Sequence, residues 1–147
     1  MVASHDPETG DLLKVMETHS SINDDGHIDE RVEETKTASG AFVKSVTNRI
    51  AYDGASGICN ARGLPSSQSV ESYVDESGDS KTLETAFTYY NNCQLATQTV
   101  EPNRAEFTST MTYEYDDFGN ATKTTLSAPG LASRTTRMEY DLSLIHI

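Results

Sequence analysis

The chain has 147 residues, only 35% of them hydrophobic, with no Trp, four Phe, and a formal net charge of −12 from 23 acidic against 11 basic side chains. That length ordinarily makes one domain, but the apolar content is lean for a closed core and suits a sheet with one buried and one wetted face. The acidic balance repels phosphate backbones and anionic lipid and argues against nucleic-acid binding. No apolar run reaches the roughly 20 residues of a spanning helix, and no basic-then-apolar leader follows Met1.

In chain order, a turn-rich lead from Ser4 to Gly10 runs into the apolar stretch Leu12-Leu13-Lys14-Val15-Met16. Ile22-Asn23-Asp24-Asp25-Gly26-His27-Ile28 is a turn, and acidic residues dominate from Asp24 to Glu34, which reads as a solvated hairpin loop and a return strand. Arg31 to Thr37 is the only weak helix candidate. Ser39-Gly40 turns the chain into a strand from Phe42 to Tyr52 with Val46, Ile50 and Tyr52 in phase. Residues 54–68 are the least regular, with Gly54, Gly57, Gly63, Pro65 and three serines. Val70 to Val74 reads as a further strand before the polar turn Asp75-Glu76-Ser77-Gly78-Asp79.

Beyond residue 80 the signal sharpens. Leu83, Thr85, Phe87 and Tyr89 alternate with Thr82, Glu84 and Thr88; Phe107, Ser109, Met111, Tyr113 and Tyr115 alternate with Thr108, Thr110, Thr112 and Glu114. Met138 and Tyr140 do so against Arg137 and Glu139. Period-two alternation rich in Thr, Tyr and Phe is the half-buried strand pattern. Asp116-Asp117-Phe118-Gly119-Asn120 is a tight turn in which Asp bonds the backbone ahead and Gly119 accepts positive φ. A return strand (Thr122 to Leu126) and a second turn at Pro129-Gly130 complete the unit.

These segments are copies of one another. Phe87-Thr88-Tyr89-Tyr90-Asn91-Asn92-Cys93-Gln94 is a worn version of Tyr113 to Asn120, and Tyr140-Asp141 opens another; Tyr89, Tyr115 and Tyr140 lie 26 and 25 residues apart. Repetition at such a period marks an array whose units need neighbours to bury their faces. Each unit reads as a β-hairpin with its Tyr at the end of the incoming strand, and an isolated hairpin is marginal in water.

The motif Tyr113-x-Tyr115-Asp116-x-x-Gly119-Asn120, followed by Thr122 and Lys123, resembles the YD repeat of the RHS (rearrangement hot spot) superfamily. That superfamily includes bacterial polymorphic toxins, C-type subunits of insecticidal toxin complexes, wall-associated repeat proteins and teneurins. Residues 107–126 match well and 134–141 match as far as they go; 82–102 fit with Asn91 and Cys93 in place of Asp and Gly. Tyr52-Asp53 and the turn at 22–28 are poorer copies. The resemblance implies an all-β fold of tandem hairpins (units near 12–38, 42–74, 82–102, 107–128 and 131–141) forming part of a curved, spiralling shell sheet. It also implies a non-catalytic role, a bacterial secreted or cell-surface location, and as partners the remainder of the RHS polypeptide and an encapsulated C-terminal toxin. Tyr52, Asp53, Tyr89, Tyr113, Tyr115, Asp116, Gly119, Asn120, Tyr140 and Asp141 would then be structural repeat residues, with the tyrosines stacking successive hairpins. The alternative is an extracellular adhesion or carbohydrate-binding module whose tyrosine rows bind cell-surface glycans.

Leu142-Ser143-Leu144-Ile145-His146-Ile147 breaks the repeat and is similar to a translated sequencing-adapter end, so residues 1–141 are taken as the array and 142–147 as a scar. A cut array is expected to expose strand edges and to associate when isolated.

Cys59 and Cys93 are the only cysteines. Cys93 replaces a turn Gly and so belongs in a surface loop; Cys59 lies in the irregular segment. A disulfide, two buried thiols and a metal pair all remain open, and the compartment decides among them. A bridge closing ~35 residues contributes about 3–4 kcal/mol in the chain-entropy description. His5, His19, His27 and His146 have no metal-ligand spacing with them. Ser21-x-Asn23-x-Asp25-Gly26-x-Ile28 mimics the start of an EF-hand calcium loop, but Val32 stands where the bidentate Glu is required, which favours a hairpin turn. No metal site, cofactor or catalytic constellation is predicted; Asp116 and Asp117 read as turn formers, and Asn120-Ala121-Thr122 matches a glycosylation acceptor.

Overall fold

The computed structural model describes residues 2–5, 12–37, 39–52, 59, 62–73 and 80–140. The chain is all-β and built of antiparallel hairpins: β1 (Val2–His5), β2 (Leu12–Ile22), β3 (Ile28–Thr37), β4 (Phe42–Ala51), β5 (Ser67–Tyr73), β6 (Ser80–Tyr89), β7 (Leu95–Val100), β8 (Ser109–Tyr115), β9 (Ala121–Ser127) and β10 (Arg134–Arg137). Outside the strands, Cys59 is the one described residue with helical backbone.

Two compact units divide these elements, and the division does not follow sequence order. Met1–Tyr52 joins Ser67–Glu84, whereas Asp53–Ser66 joins Thr85–Ile147. Within the first unit β1 to β5 form an open meander, each strand paired to its sequence neighbour. Within the second, β6 from Thr85 onward pairs with β7, then β8, β9 and β10 follow in the same manner.

Among the described residues neither unit shows a closed apolar core. Among the described residues the fully buried apolar side chain is Cys59, and the other buried groups are Thr35, Ser45, Thr47 and Glu101. In the first unit, register places Glu17, Glu34 and Ser45 in one row, His19, Val32, Thr47 and Glu71 in the next, and Ser21, Glu30, Arg49 and Ser69 in a third. Ion pairs knit this face: Lys36 Nζ reaches Glu17 (2.7 Å) and Glu34 (3.1 Å), and Arg49 reaches Glu30 and Glu71 (2.9 Å each). In the second unit, Thr88, Thr97, Thr112, Thr125 and Thr135 fall in one cross-strand row. Their hydroxyls meet at 2.6 Å between Thr88 and Thr97 and at 3.2 Å between Thr125 and Thr135. Threonine on a strand combines a branched methyl that packs on the pleat with a hydroxyl that bonds across it.

Several expectations are corrected. Arg31 to Thr37 is strand, because its residues pair with β2 on one side and β4 on the other. Phe107 is not in β8; it lies in a turn, 59% exposed, with the Arg104 guanidinium 4.7 Å above its ring. The return strand opposite β4 begins at Ser67, inside the stretch read as irregular. Tyr52, Met138 and Tyr140 sit just past their strands. On β4 the buried positions are Ser45 and Thr47, opposite in phase to Val46 and Ile50. Asp53, the turn at 75–79, most of the lead from Ser4 to Gly10, Asp141 and 142–147 lie outside the described residues.

Candidate functional site: turns, tyrosine latches and the turn cleft

Four hairpins share one turn. Asn23, Thr37, Tyr90 and Asp116 each accept a hydrogen bond from the residue three ahead (Gly26, Gly40, Cys93, Gly119) at 2.8–3.0 Å and donate to the carbonyl four ahead. The third-ahead residue is always left-handed, with φ of 84°, 87°, 67° and 88° respectively. Each hairpin also slips register by one residue, so that Ile22 pairs Ile28, Lys36 pairs Phe42, Tyr89 pairs Leu95 and Tyr115 pairs Ala121. A type I turn followed by a left-handed residue in a bulge produces this geometry. Asp116 supplies the most complete version: its Oδ1 accepts from the N–H groups of Phe118 and Asn120, and its Oδ2 accepts from Asn120 Nδ2, all at 2.9 Å. The Asn120 side-chain bond, followed by these backbone bonds, holds the Asp116 carboxyl below its usual range. Asn120 thereby holds the turn through both its backbone N–H and its side-chain amide.

Beside these turns Tyr52, Tyr89, Tyr115 and Tyr140 do not stack on one another; each donates its hydroxyl to a backbone carbonyl of the preceding hairpin. Tyr52 reaches Ile28 O (2.8 Å), Tyr89 reaches Pro65 O (2.8 Å), Tyr115 reaches Leu95 O (3.0 Å) and Tyr140 reaches Ala121 O (3.0 Å). Three of the four acceptors are the first residue of a return strand. In the second unit this makes a continuous row, because Tyr89 pairs Leu95 and Tyr115 pairs Ala121. Burial raises the Tyr89 and Tyr115 phenols above their ordinary range, with the neighbouring Tyr113 and Tyr90 adding to the effect at Tyr115. Tyr113, by contrast, points to Gln98 at 3.5 Å, the limit of a hydrogen bond.

Cys59 and Cys93 are joined by a disulfide with 5.3 Å between their Cα atoms. It anchors Cys59 to the 90–94 turn, and Phe87 N–H and Tyr89 Oη fasten Ser66 and Pro65. Cys59 and residues 62–66 lie in the second unit with these partners. The left-handed backbone at Cys93, unfavourable for a residue with a Cβ, is held by this cross-link.

Between the 90–94 and 116–120 turns lies an open cleft of about 1030 Å³ lined by Tyr90, Asn91, Asn92, Asp117 and Phe118 among others. Two bonds tie its walls: Tyr90 Oη to Tyr113 O (2.8 Å) and Gln94 Nε2 to Gly119 O (3.3 Å). Tyr90 meets Tyr115 edge-on at 6.2 Å, while Phe118 is 75% exposed. The repeat pattern does not single out Tyr90, Gln94 or Phe118; the spacing of Tyr90 and Phe118 from the flanking latch tyrosines is the only signal for them. The turn at 21–28 offers no calcium cage, since Asn23 Oδ1 is spent on the N–H groups of Asp25 and His27 and Ser21 bonds Asp29. Among the described residues no cluster of three or more His, Cys, Asp or Glu is placed to hold a metal, and no helix is long and apolar enough to cross a membrane. No protein-family model and no curated protein matches the chain.

Proposed function

We propose that this chain is a non-catalytic structural segment of an RHS/YD-repeat shell that encloses and helps deliver a C-terminal toxin, the toxin itself lying outside this sequence. The observation carrying the reading is the recurrent latch: a Tyr hydroxyl from one hairpin satisfies a carbonyl of the hairpin before it. That bond makes each hairpin depend on its neighbour, as an array requires. The scarcity of buried apolar side chains among the described residues supports the same reading, because open sheets are completed by packing on further structure. Its partners are then the rest of its polypeptide and the enclosed toxin, at a bacterial surface or outside the cell, where the Cys59–Cys93 disulfide persists. Sequencing the parent gene past codon 141 tests this: further Tyr-Asp hairpins followed by an unrelated toxin-like domain are expected, and their absence overturns it.

The turn cleft favours a second reading, a glycan-binding module. Exposed Phe118 and Tyr90 offer ring faces, and Asn91, Asn92 and Asp117 offer hydrogen-bonding groups, the combination that recognises a sugar's apolar face and its hydroxyls. A glycan array separates the two. Binding abolished by Phe118→Ala with the fold intact supports the module; no binding by the folded chain rejects it.

A further inference from the structure

The loop before β8 holds a cation between a ring and an acid. The Arg104 guanidinium lies 4.7 Å over the Phe107 ring and 3.7 Å from the Glu101 carboxylate. Ring face and carboxylate attract the same charge. Asp117 and Phe118, adjacent on the 116–120 turn, offer these two groups to the turn cleft, and no basic side chain is among its described lining residues. The other polar groups of the cleft are engaged. Asp116 holds its own turn, Glu114 takes Lys123 at 2.6 Å, Asn92 bonds Gln94, and Gln94 reaches Gly119 O. Tyr90 and Tyr115 give their hydroxyls to Tyr113 O and Leu95 O. Asn91 and Asp117 take the same position in the two turns, and among the described residues neither side chain has a hydrogen bond or an ion pair. The cleft therefore presents one carboxylate, one amide and the exposed ring of Phe118.

We propose that the turn cleft docks an arginine-bearing segment of a partner protein. The incoming guanidinium stacks on Phe118 and pairs with Asp117, as Arg104 does with Phe107 and Glu101, and the Asn91 amide bonds the backbone of the segment. The net charge of −12 draws a basic segment toward the chain. Arginine suits the site better than lysine, because its planar cation stacks on a ring while its N–H groups reach a carboxylate. An open volume of about 1030 Å³ exceeds one side chain and leaves room for the flanking residues. Both walls of the cleft belong to the second unit, so the docking stands whether or not the chain lines a shell.

The test titrates the peptide Gly-Ser-Arg-Ser-Gly into the isotope-labelled full chain and follows backbone amide shifts by NMR. Saturable shifts confined to the 90–94 and 116–120 turns are expected, with affinity about tenfold weaker when uncharged citrulline replaces the arginine. A lysine peptide should fall between the two. Phe118→Ala and Asp117→Asn should each weaken the arginine peptide about threefold and narrow its lead over citrulline. Three results overturn the proposal: no saturable shift in the folded chain, an arginine peptide that binds no better than citrulline or lysine, or shifts spread over the acidic surface, which would be charge attraction without a site. A short glycan that shifts these turns while the peptide does not also overturns it, and leaves the glycan-binding reading standing. The peptide comparisons on the unaltered chain decide the matter even where a variant fails to fold.

Discussion

The two units build the same hairpin and hold it in different ways. In the first, strands of ten or eleven residues (β2, β3, β4) carry a charged face in which Lys36 bridges Glu17 and Glu34 and Arg49 bridges Glu30 and Glu71. In the second, strands of six or seven residues (β7, β8, β9) are held by the threonine row, three tyrosine latches and a disulfide. Long strands gain enough ladder hydrogen bonds for exposed ion pairs, individually weak, to suffice. Short strands, with one cross-strand ion pair from Lys123 to Glu114, rely mainly on neutral contacts that salt does not screen and on a cross-link that limits the unfolded chain. The turn is the constant; a tyrosine latch recurs once in the first unit, from Tyr52 to Ile28 O, and the rest of the fastening is the variable.

The sharpest way to break this comparison is to remove the cross-link. Cys59→Ser/Cys93→Ser should lower the stability of the second unit by about 3–4 kcal/mol and leave β2, β3 and β4 untouched. Hydrogen exchange resolved by segment checks it; an equal loss in both units would mean that they do not hold themselves separately. Replacing Cys93 with Gly rather than Ser, beside Cys59→Ser, should restore about 1 kcal/mol by relieving the left-handed residue.

The constant part is tested at the glycines. Gly26→Ala and Gly119→Ala place a Cβ at φ of +84° and +88°, and each should cost about 1–2 kcal/mol. At Gly26 the new methyl meets open space, whereas at Gly119 it lies 3.1 Å from Gln94 Nε2. Gly119→Ala should therefore also disturb the bond across the cleft and be the more costly of the two. Equal thermal shifts would show that the Gln94 bond adds nothing.

How much of this was legible in the sequence depends on the kind of contact. The turns were, because Asp116, Gly119 and Asn23 act on backbone within four residues and composition reports such local geometry. The strands around Tyr113 and Leu83 were legible too, but burial does not follow the alternation there: Leu83 is half exposed and β8 is half-buried on both faces except at Glu114. Arg31 to Thr37 was ambiguous because a run of Glu, Arg and Lys is content in a helix; only pairing with β2 and β4 makes it strand. Phe107 looked like a strand residue by phase alone, and the Arg104 contact that holds it in a turn has no periodic signature. The repeat marked the tyrosines but not their action, since an acceptor such as Leu95 O is a backbone atom that carries no mark in the sequence.

The tyrosine latches give the next smaller effect. Tyr115→Phe keeps the ring and its edge contact with Tyr90 but leaves Leu95 O without its donor, at a cost of about 0.5–1.5 kcal/mol. Tyr113→Phe, at the 3.5 Å limit to Gln98, should cost less. Chemical denaturation of the two variants ranks them, and the reverse order would remove the latch as the fastening of the second unit.

Salt gives the smallest and most discriminating effect, where pH would mislead. On the alkaline side both units weaken. Tyr89 and Tyr115 are raised, so their neutral forms stabilise the second unit fully below the ordinary phenol pKa, and that stability is lost as pH rises through the folded values. Lys36, raised by its bonds to Glu17 and then Glu34, behaves the same way in the first unit. On the acid side Glu17, lowered by its Lys36 bond, and Asp116, lowered by Asn120, each lose their contribution as pH falls through the folded value, again one in each unit. Titration therefore affects both units in both directions. At 1 M salt the screening length falls to about 3 Å, which weakens the exposed pairs of Lys36 and Arg49 but not a phenol bonded to a carbonyl. Exchange protection in β3 and β4 should fall slightly while that in β7 and β8 holds. A uniform response would mean that the charged face of the first unit is solvated rather than structural, and that its strands stand on their ladders alone.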